Sequence, residues 1–286
     1  MIYKFRYKLF FLFFPLAFNG AFAQTDYDRS VVETFLQTNA KTAIDAAMVQ
    51  AALYLLDTPY VAGTLERSDS TGEALVVNLR ELDCTTFVEN CLALSRTLQL
   101  PAPDYGAFLR ELQKIRYRSG VVNGYASRLH YTADWIYDNV EKGTVEDVTY
   151  ALGGRKLKPN VYFMSENPQK YPHLAGDSDA VRQIKRIEQR INARNSYYFI
   201  PKKEIARCRS LIKSGDIVCF TTSIPGLDVL HVAVACRRNG ELTFIHASST
   251  AKKVIVNPQT LIDYCFMIQN CTGIIVLRPI QVTSDK

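Results

Sequence analysis

The chain has 286 residues, 48% of them hydrophobic and 22% charged, which is the composition of a folded globular protein long enough to bury a sizeable core. Its net charge is +6. Removing Lys4, Arg6 and Lys8 with an N-terminal leader leaves +3, without the polybasic blocks that a nucleic-acid partner requires.

The N-terminus reads "MIYKFRYKLFFLFFPLAFNGAFAQ". A basic start, an apolar run and the small-residue signature Ala21 to Ala23 predict a secretory signal peptide cleaved after Ala23. The apolar run is short and interrupted by Pro15, Asn19 and Gly20, which disfavours a membrane-spanning helix, and no later stretch is apolar enough to cross a membrane. The expectation is an exported, periplasmic protein with no membrane contact after cleavage and one catalytic domain over residues 24–286. Seven cysteines leave at least one thiol free or paired between chains. With no C-x-x-C, a structural zinc site has little support.

Residues 28–56 predict a helix in two pieces around "QTNAKT", and "DTPYVAGTLE" (57–66) breaks it with Pro59 and Gly63. The stretch "ELDCTTFVENCLALS" (81–95) opens the next helix, expected over 84–98. Its apolar positions Phe87, Val88, Cys91, Leu94 and Leu98 share one face. Asp83 is a candidate N-cap, leaving Cys84 at the first helical position, where free N–H groups and the helix dipole favour a thiolate. Cys84 and Cys91 cannot bridge: seven residues at ~1.5 Å rise place them about 10 Å apart, beyond the roughly 7 Å limit between Cα atoms. Further helices are expected near 104–116, at "SRLHYTADWIYDNV" (127–140), over 178–194, and in a short piece within 201–212.

After "KSGD" (213–216) the pattern changes. "IVCFTTS", "VLHVAVACRR", "LTFIHASS", "KVIVN" and "TGIIVLRPI" alternate with turns and predict antiparallel strands. Helices first and strands later give an α+β class. Asn239-Gly240 marks a two-residue hairpin turn. If Arg238 pairs with Glu241, His231 faces Ser248 and His246 faces Ala233. The two histidines are then diagonal neighbours, about 7–8 Å apart, on one sheet face. The opposite face carries Val232, Val234, Ile245 and Ala247. A cysteine at a helix start with a histidine held by a second polar group is the nucleophile, base and orienter set of cysteine hydrolases. The backbone N–H of Cys84 is placed to bind a developing oxyanion.

"PYVAGT", "ELDCTTFVE", "KSGDIVCF", "HVAVA" and "IHASS", in this order, resemble the NlpC/p60 branch of papain-like cysteine hydrolases. The first segment departs from that branch, with "VAGT" in place of an aromatic followed by two glycines. The resemblance implies Cys84 as nucleophile, His231 as base, His246 as orienting third member and Tyr60 beside the thiol. It also implies N-terminal helices packed on an antiparallel sheet. From Cys84 to His231 the chain is longer than the minimal domain needs, and the surplus, about 101–210, is expected to be a largely helical insertion. This combination is similar to N-acetylmuramoyl-L-alanine amidase-like cell-wall hydrolases. The implied reaction is cleavage of the amide between a muramic lactyl group and L-alanine in small muropeptides, including anhydro-sugar forms, with no cofactor and no metal. Within the insertion, Arg128, Tyr131 and Trp135 would share a helix face suited to a sugar and a carboxylate, and His130 and Asp134 would form a second i, i+4 pair. Two other functions use the same residues differently: a stem-peptide endopeptidase cutting beside D-glutamate, and a non-catalytic muropeptide-binding protein. The sequence leaves the oligomeric state open.

Overall fold

The computed structural model describes residues 20–66 and 72–282. The expected leader, residues 1–23, therefore lies mostly outside the described residues. Two helices, α1 (Gly20–Thr38) and α2 (Ile44–Tyr54), are followed by α3 (Cys84–Gln99) and α4 (Tyr105–Arg116). Helix α3 was expected to bury one face. It is instead enclosed from Thr86 to Gln99, because α2, α4 and the sheet all pack on it. Its polar residues are matched inside. Glu89 pairs with Arg116 at 2.6 Å and Arg96 with Glu111 at 2.7 Å, tying α4 to α3, while Ser95 and Thr97 donate to carbonyls one turn back. Buried charges tolerate this position only when paired and hydrogen-bonded.

The chain continues through α5 (Thr132–Glu141), β1 (Val145–Asp147), β2 (Arg155–Lys156), α6 (Phe163–Glu166), α7 (Ser178–Ala193), β3 (Tyr198–Pro201) and α8 (Ile205–Cys208). It ends with β4 (Ile217–Thr222), β5 (Val229–Arg238), β6 (Glu241–Ser248), β7 (Lys253–Val256), α9 (Leu261–Met267) and β8 (Cys271–Pro279). The sheet order is β2-β3-β8-β4-β5-β6-β7, with β1 also on β8, and the pairings are antiparallel. The α+β class holds. The insertion is largely helical, as expected, and also contributes short strands: β1 and β3, both from 101–210, pair with β8 and extend the sheet. The rest of the insertion has a small core of its own, where Tyr131, Met164, Ile184, Ile187 and Ile191 pack together.

The two sheet faces bury different layers. Val232, Val234, Ile245 and Ala247 pack against α2 and α3, as the alternation required. Phe220, Ala233, Ala235 and Phe244 face the other way, toward the α8 and α9 side. The Asn239-Gly240 turn has positive φ at both residues (53° and 83°), the signature of a type I′ hairpin turn. Arg238 pairs with Glu241 and the ladder runs to Val234 and Ile245, so the predicted register is the observed one over that span. Gly215, in the "KSGD" turn, has a φ of 90° and sits where a Cβ would strike the Asp45 backbone. Glycine thus lets this turn close on α2.

Candidate active site

Helix α3 starts at Cys84. Asp83 adopts extended backbone (φ −96°, ψ −178°) and its carboxylate accepts from Thr86 N at 2.8 Å. In return the Thr86 hydroxyl accepts from Asp83 N at 2.9 Å. This reciprocal cap satisfies two backbone donors at the helix start and fixes the thiol at its rim. Ahead of it, the Pro59–Tyr60 strap bonds to Leu82, with Leu82 N donating to Pro59 O at 2.9 Å and Val61 N donating to Leu82 O at 3.1 Å. Tyr60 consequently stands beside the thiol, and the Cys84 and Asp83 charges add to the burial that raises its phenol.

His231 lies near the start of β5, next to a bulge. Phe220 pairs with His231 but Thr221 pairs with Val229, so Leu230 is the extra residue. A bulge bends its strand and re-aims neighbouring side chains. Here the whole stretch Leu227 to Val232 reaches a cavity of about 230 Å3 that also contains Cys84, Thr85, His130 and Tyr131. Cys84 and His231 are therefore brought to one cavity. His231 Nε2 lies 2.7 Å from His246 Nδ1, the rings nearly perpendicular at 83°. This bond leaves Nδ1 as the nitrogen of His231 free for proton transfer. Tyr264 of α9 packs on both imidazoles, with centroids 6.2 and 5.9 Å away. A second cavity, of about 520 Å3, is lined by His231, His246, Ser248, Asn257, Tyr264 and Met267, among others.

Electrostatics set the resting protonation. Burial, and then the facing His246, push His231 down to about 3. Burial pushes His246 down to about 4, against Asn257, which favours its charged form. Both rings are neutral near pH 7. The thiol differs from the sequence expectation. Burial and the Asp83 carboxylate push it up to about 11, while the Val232 N–H and the Thr85 hydroxyl and N–H pull it down. The helix start alone does not ionise Cys84. A thiolate there requires transfer of its proton to a base.

The insertion residues are placed differently from the expectation. Helix α5 begins only at Thr132, with Tyr131 as its N-cap residue, so Arg128 and His130 lie in the preceding strap. Arg128 is spent on Glu66 (2.9 Å) and Glu73 (3.1 Å) beneath the Tyr125 ring. Asp134 does not pair with His130; it bonds Arg118 at 2.5 Å and Arg194 at 2.7 Å. Trp135 packs in the main core with 5% exposure. Arg128, Asp134 and Trp135 therefore form no open sugar-binding face. His130 and Tyr131 do line the Cys84 cavity. Both are held: His130 Nε2 meets Tyr125 O at 2.8 Å, and Tyr131 Oη donates to Glu188 at 2.7 Å while accepting from Met164 N at 2.9 Å.

Residues that sequence reasoning missed also line the site. Asp228 accepts from Ala133 N at 2.6 Å and Val229 N at 2.8 Å, joining the start of α5 to β5 on the cavity wall. Burial raises its carboxyl against those two donors. A lone carboxylate before an apolar strand carries no periodic signal. Tyr264 and Asn257 were equally silent, since α9 is one short amphipathic piece and Asn257 lies in the loop before it. All seven cysteines are unpaired. Among the described residues no group of three or more His, Cys, Asp or Glu could hold a metal.

The family model described as AmiA-like, N-acetylmuramoyl-L-alanine amidase-like, matches residues 50–274. A Bacteroides uniformis N-acetylmuramoyl-L-alanine amidase of known structure is 40% identical with a TM-score of 0.79, over 84% of this chain and 100% of that one. A Bacteroides fragilis protein provisionally named a xylanase is 41% identical with a TM-score of 0.75, over 80% and 98% of the two chains. A Legionella pneumophila protein shares the fold at 20% identity, with a TM-score of 0.71 over 91% and 97%. No functionally curated protein matches the chain. Cys84, His231 and His246 all fall inside the matched span, and the chain belongs to the AmiA-like, N-acetylmuramoyl-L-alanine amidase-like family.

Proposed function

We propose that this protein is an exported, periplasmic cysteine hydrolase of the papain-like NlpC/p60 branch, with one catalytic domain over residues 24–286, that cleaves the amide between N-acetylmuramic acid and L-alanine in muropeptides. The observation that carries the reading is the 2.7 Å bond between His231 and His246, on the wall of the cavity that holds Cys84 at the start of α3. It supplies a base with one nitrogen engaged and the other free, beside a nucleophile.

The chemistry follows from that arrangement. His231 Nδ1 takes the Cys84 proton, and the resulting imidazolium donates through Nε2 to His246. The thiolate adds to the lactyl carbonyl carbon, and the oxyanion is met by the Cys84 backbone N–H at the helix start. The C–N bond breaks as His231 returns its proton to the leaving L-alanine amine. Water, deprotonated by the same imidazole, then adds to the thioester, and its collapse releases the muramic acid carboxylate and restores the thiol. Because burial raises the thiol and lowers the imidazole, proton transfer to His231 accompanies attack and does not precede it. Tyr60, His130 and Tyr131 remain candidates for substrate contact.

A glycosidase reading would need two carboxylates flanking the bond, about 5–9.5 Å apart. The cavity presents one, Asp228, and both its oxygens are bonded to backbone N–H groups. Incubation with a disaccharide-peptide muropeptide tests the proposal. The expected products are a free stem peptide beginning with L-alanine and the muramic acid sugar. Release of a dipeptide still attached to the sugar would replace it with the endopeptidase reading, and no turnover with tight binding would replace it with a binding protein.

A further inference from the structure

The imidazole pair ends in an unsatisfied atom. His246 Nε2 is buried and makes no hydrogen bond of good geometry, although the Asn257 side chain beside it favours the charged ring. Burying such a group unpaired is costly, so an orphan of this kind calls for an explanation. The residue beside it is Asn257. His246 pairs with Ile255 across β6 and β7, and Asn257 N donates to Phe244 O at 2.8 Å, continuing the same register. Phe244, His246, Ile255 and Asn257 thus point to one face. Asn257 is 4% exposed and, like His246, lines the larger cavity. The titratable neighbours of the pair are Tyr264 on α9 and Cys84 on α3.

The orientation of the Asn257 amide is fixed by chemistry. Its Nδ2 lies 3.0 Å from the Gln259 carbonyl oxygen, which can only accept. The amide nitrogen must therefore face Gln259, and Oδ1 is the atom left to serve His246. The backbone holds Asn257 in place from its other side, with Thr243 Oγ1 donating to Asn257 O at 2.9 Å.

We infer that Asn257 is a fourth, positioning member of the catalytic chain, accepting the His246 Nε2 proton and so selecting the tautomer in which His231 Nδ1 is bare. The inference rests on the cysteine-hydrolase reading of the site. One proton occupies the bond between the two imidazoles. If His231 Nε2 carries it, neutral His246 must keep its own proton on Nε2, and His231 Nδ1 is free to take the Cys84 proton. If His246 Nδ1 carries it, neutral His231 is protonated at Nδ1 and cannot act as base, while His246 Nε2 is bare and needs a donor. An acceptor at Asn257 stabilises the first arrangement and not the second. It also stabilises the relay when His231 becomes imidazolium, since positive charge shared toward His246 strengthens the terminal bond.

Two substitutions isolate the acceptor. Asn257→Leu and Asn257→Asp both remove the amide donor to Gln259, but only the aspartate keeps an oxygen toward His246. Alkylation of Cys84 by iodoacetamide, followed on its own peptide by mass spectrometry, reads base function without any substrate. Asn257→Leu should slow it roughly 10-fold to 100-fold near neutral pH, with kcat falling and KM unchanged in a turnover assay. Asn257→Asp should retain the rate near neutral pH and move its acid limb to higher pH, because a carboxylate favours the protonated pair. Equal rates and equal pH profiles for Asn257→Leu and the unsubstituted protein would overturn the proposal. Imidazole nitrogen chemical shifts of the unsubstituted protein, which has four histidines, give an independent reading that survives any folding defect. His246 protonated at Nε2 is expected, and His246 protonated at Nδ1 would overturn the role of Asn257. An unreactive Cys84 with the expected tautomer would instead sink the hydrolase reading and leave the Asn257 bond standing.

Discussion

The β5–β6 hairpin and the strap leading into α5 each place a histidine on the cavity that holds Cys84, and they anchor it to different partners. In the hairpin, His231 spends one nitrogen on His246 and keeps the other for the cavity. In the strap, His130 is anchored to the Tyr125 carbonyl and Arg128 to Glu66 and Glu73, while Asp134 of α5 is anchored to Arg118 and Arg194. Burial and the Arg128 charge push His130 down to about 3, as far as His231. A shifted pKa therefore does not separate chemistry from scaffolding here. What differs is the partner of Nε2, a backbone carbonyl for His130 and a second imidazole for His231. Both segments line the cavity that holds Cys84, and under the proposed function the hairpin supplies its base.

The contrast is broken most directly at the proposed nucleophile. Cys84→Ser should abolish turnover of muropeptides while leaving the melting temperature nearly unchanged, because a hydroxyl at this position lacks the nucleophilicity of a thiolate. More than trace activity in the purified variant would remove Cys84 from its role. On the hairpin, His231→Ala should cost most of the rate and His246→Ala less, since loss of the base outweighs loss of its orienter. A variant lacking both should be little worse than His231→Ala, because the residues act as a unit. Strictly multiplicative losses would show that His246 works independently.

On the strap side the effects should appear as stability. Trp135→Ala should cost about 3–5 kcal/mol from lost packing. Arg128→Ala should cost about 3 kcal/mol by leaving the largely buried Glu73 and Glu66 without their cation. Denaturant melts beside a kinetic assay read both. A normal melt with reduced kcat/KM would instead place these side chains against the glycan and reverse the comparison.

The pH dependence of stability is shared by the two regions. His130 and His231 are lowered to about 3 and His246 to about 4, against about 6.5 in an unfolded chain. Between these values the unfolded state binds more protons, so their stabilising contribution is complete above about pH 6.5 and is lost as pH falls toward 3–4. Urea midpoints at pH 7, 5.5 and 4.5 should fall in that order, and His130→Gln should flatten the slope. An unchanged midpoint over this range would show that the imidazoles are not held neutral.

Much of the framework was already written in the residues. Asp83 ahead of Cys84 defined the start of α3, Asn239-Gly240 fixed the hairpin turn, and period-two alternation placed His231 and His246 on the face opposite Val232 and Val234. Each of these is a local rule with a fixed period or a fixed turn geometry, so a short window of sequence suffices. The α5 region escaped because its periodicity is real from Thr132 onward, but Arg128 was taken up by partners far away in the chain, Glu73 lying 55 residues from it, and His130 by the Tyr125 carbonyl ahead of the helix. Tertiary structure also decided the protonation of Cys84. The helix start favours a thiolate, but enclosure of the thiol and the neighbouring Asp83 carboxylate oppose it more strongly. The bulge at Leu230, the bonds that hold Asp228, and the meeting of His246 with Asn257 depend in the same way on which strands and loops come together. Sequence sets what each segment can form, and long-range contacts set which polar atoms remain free to react.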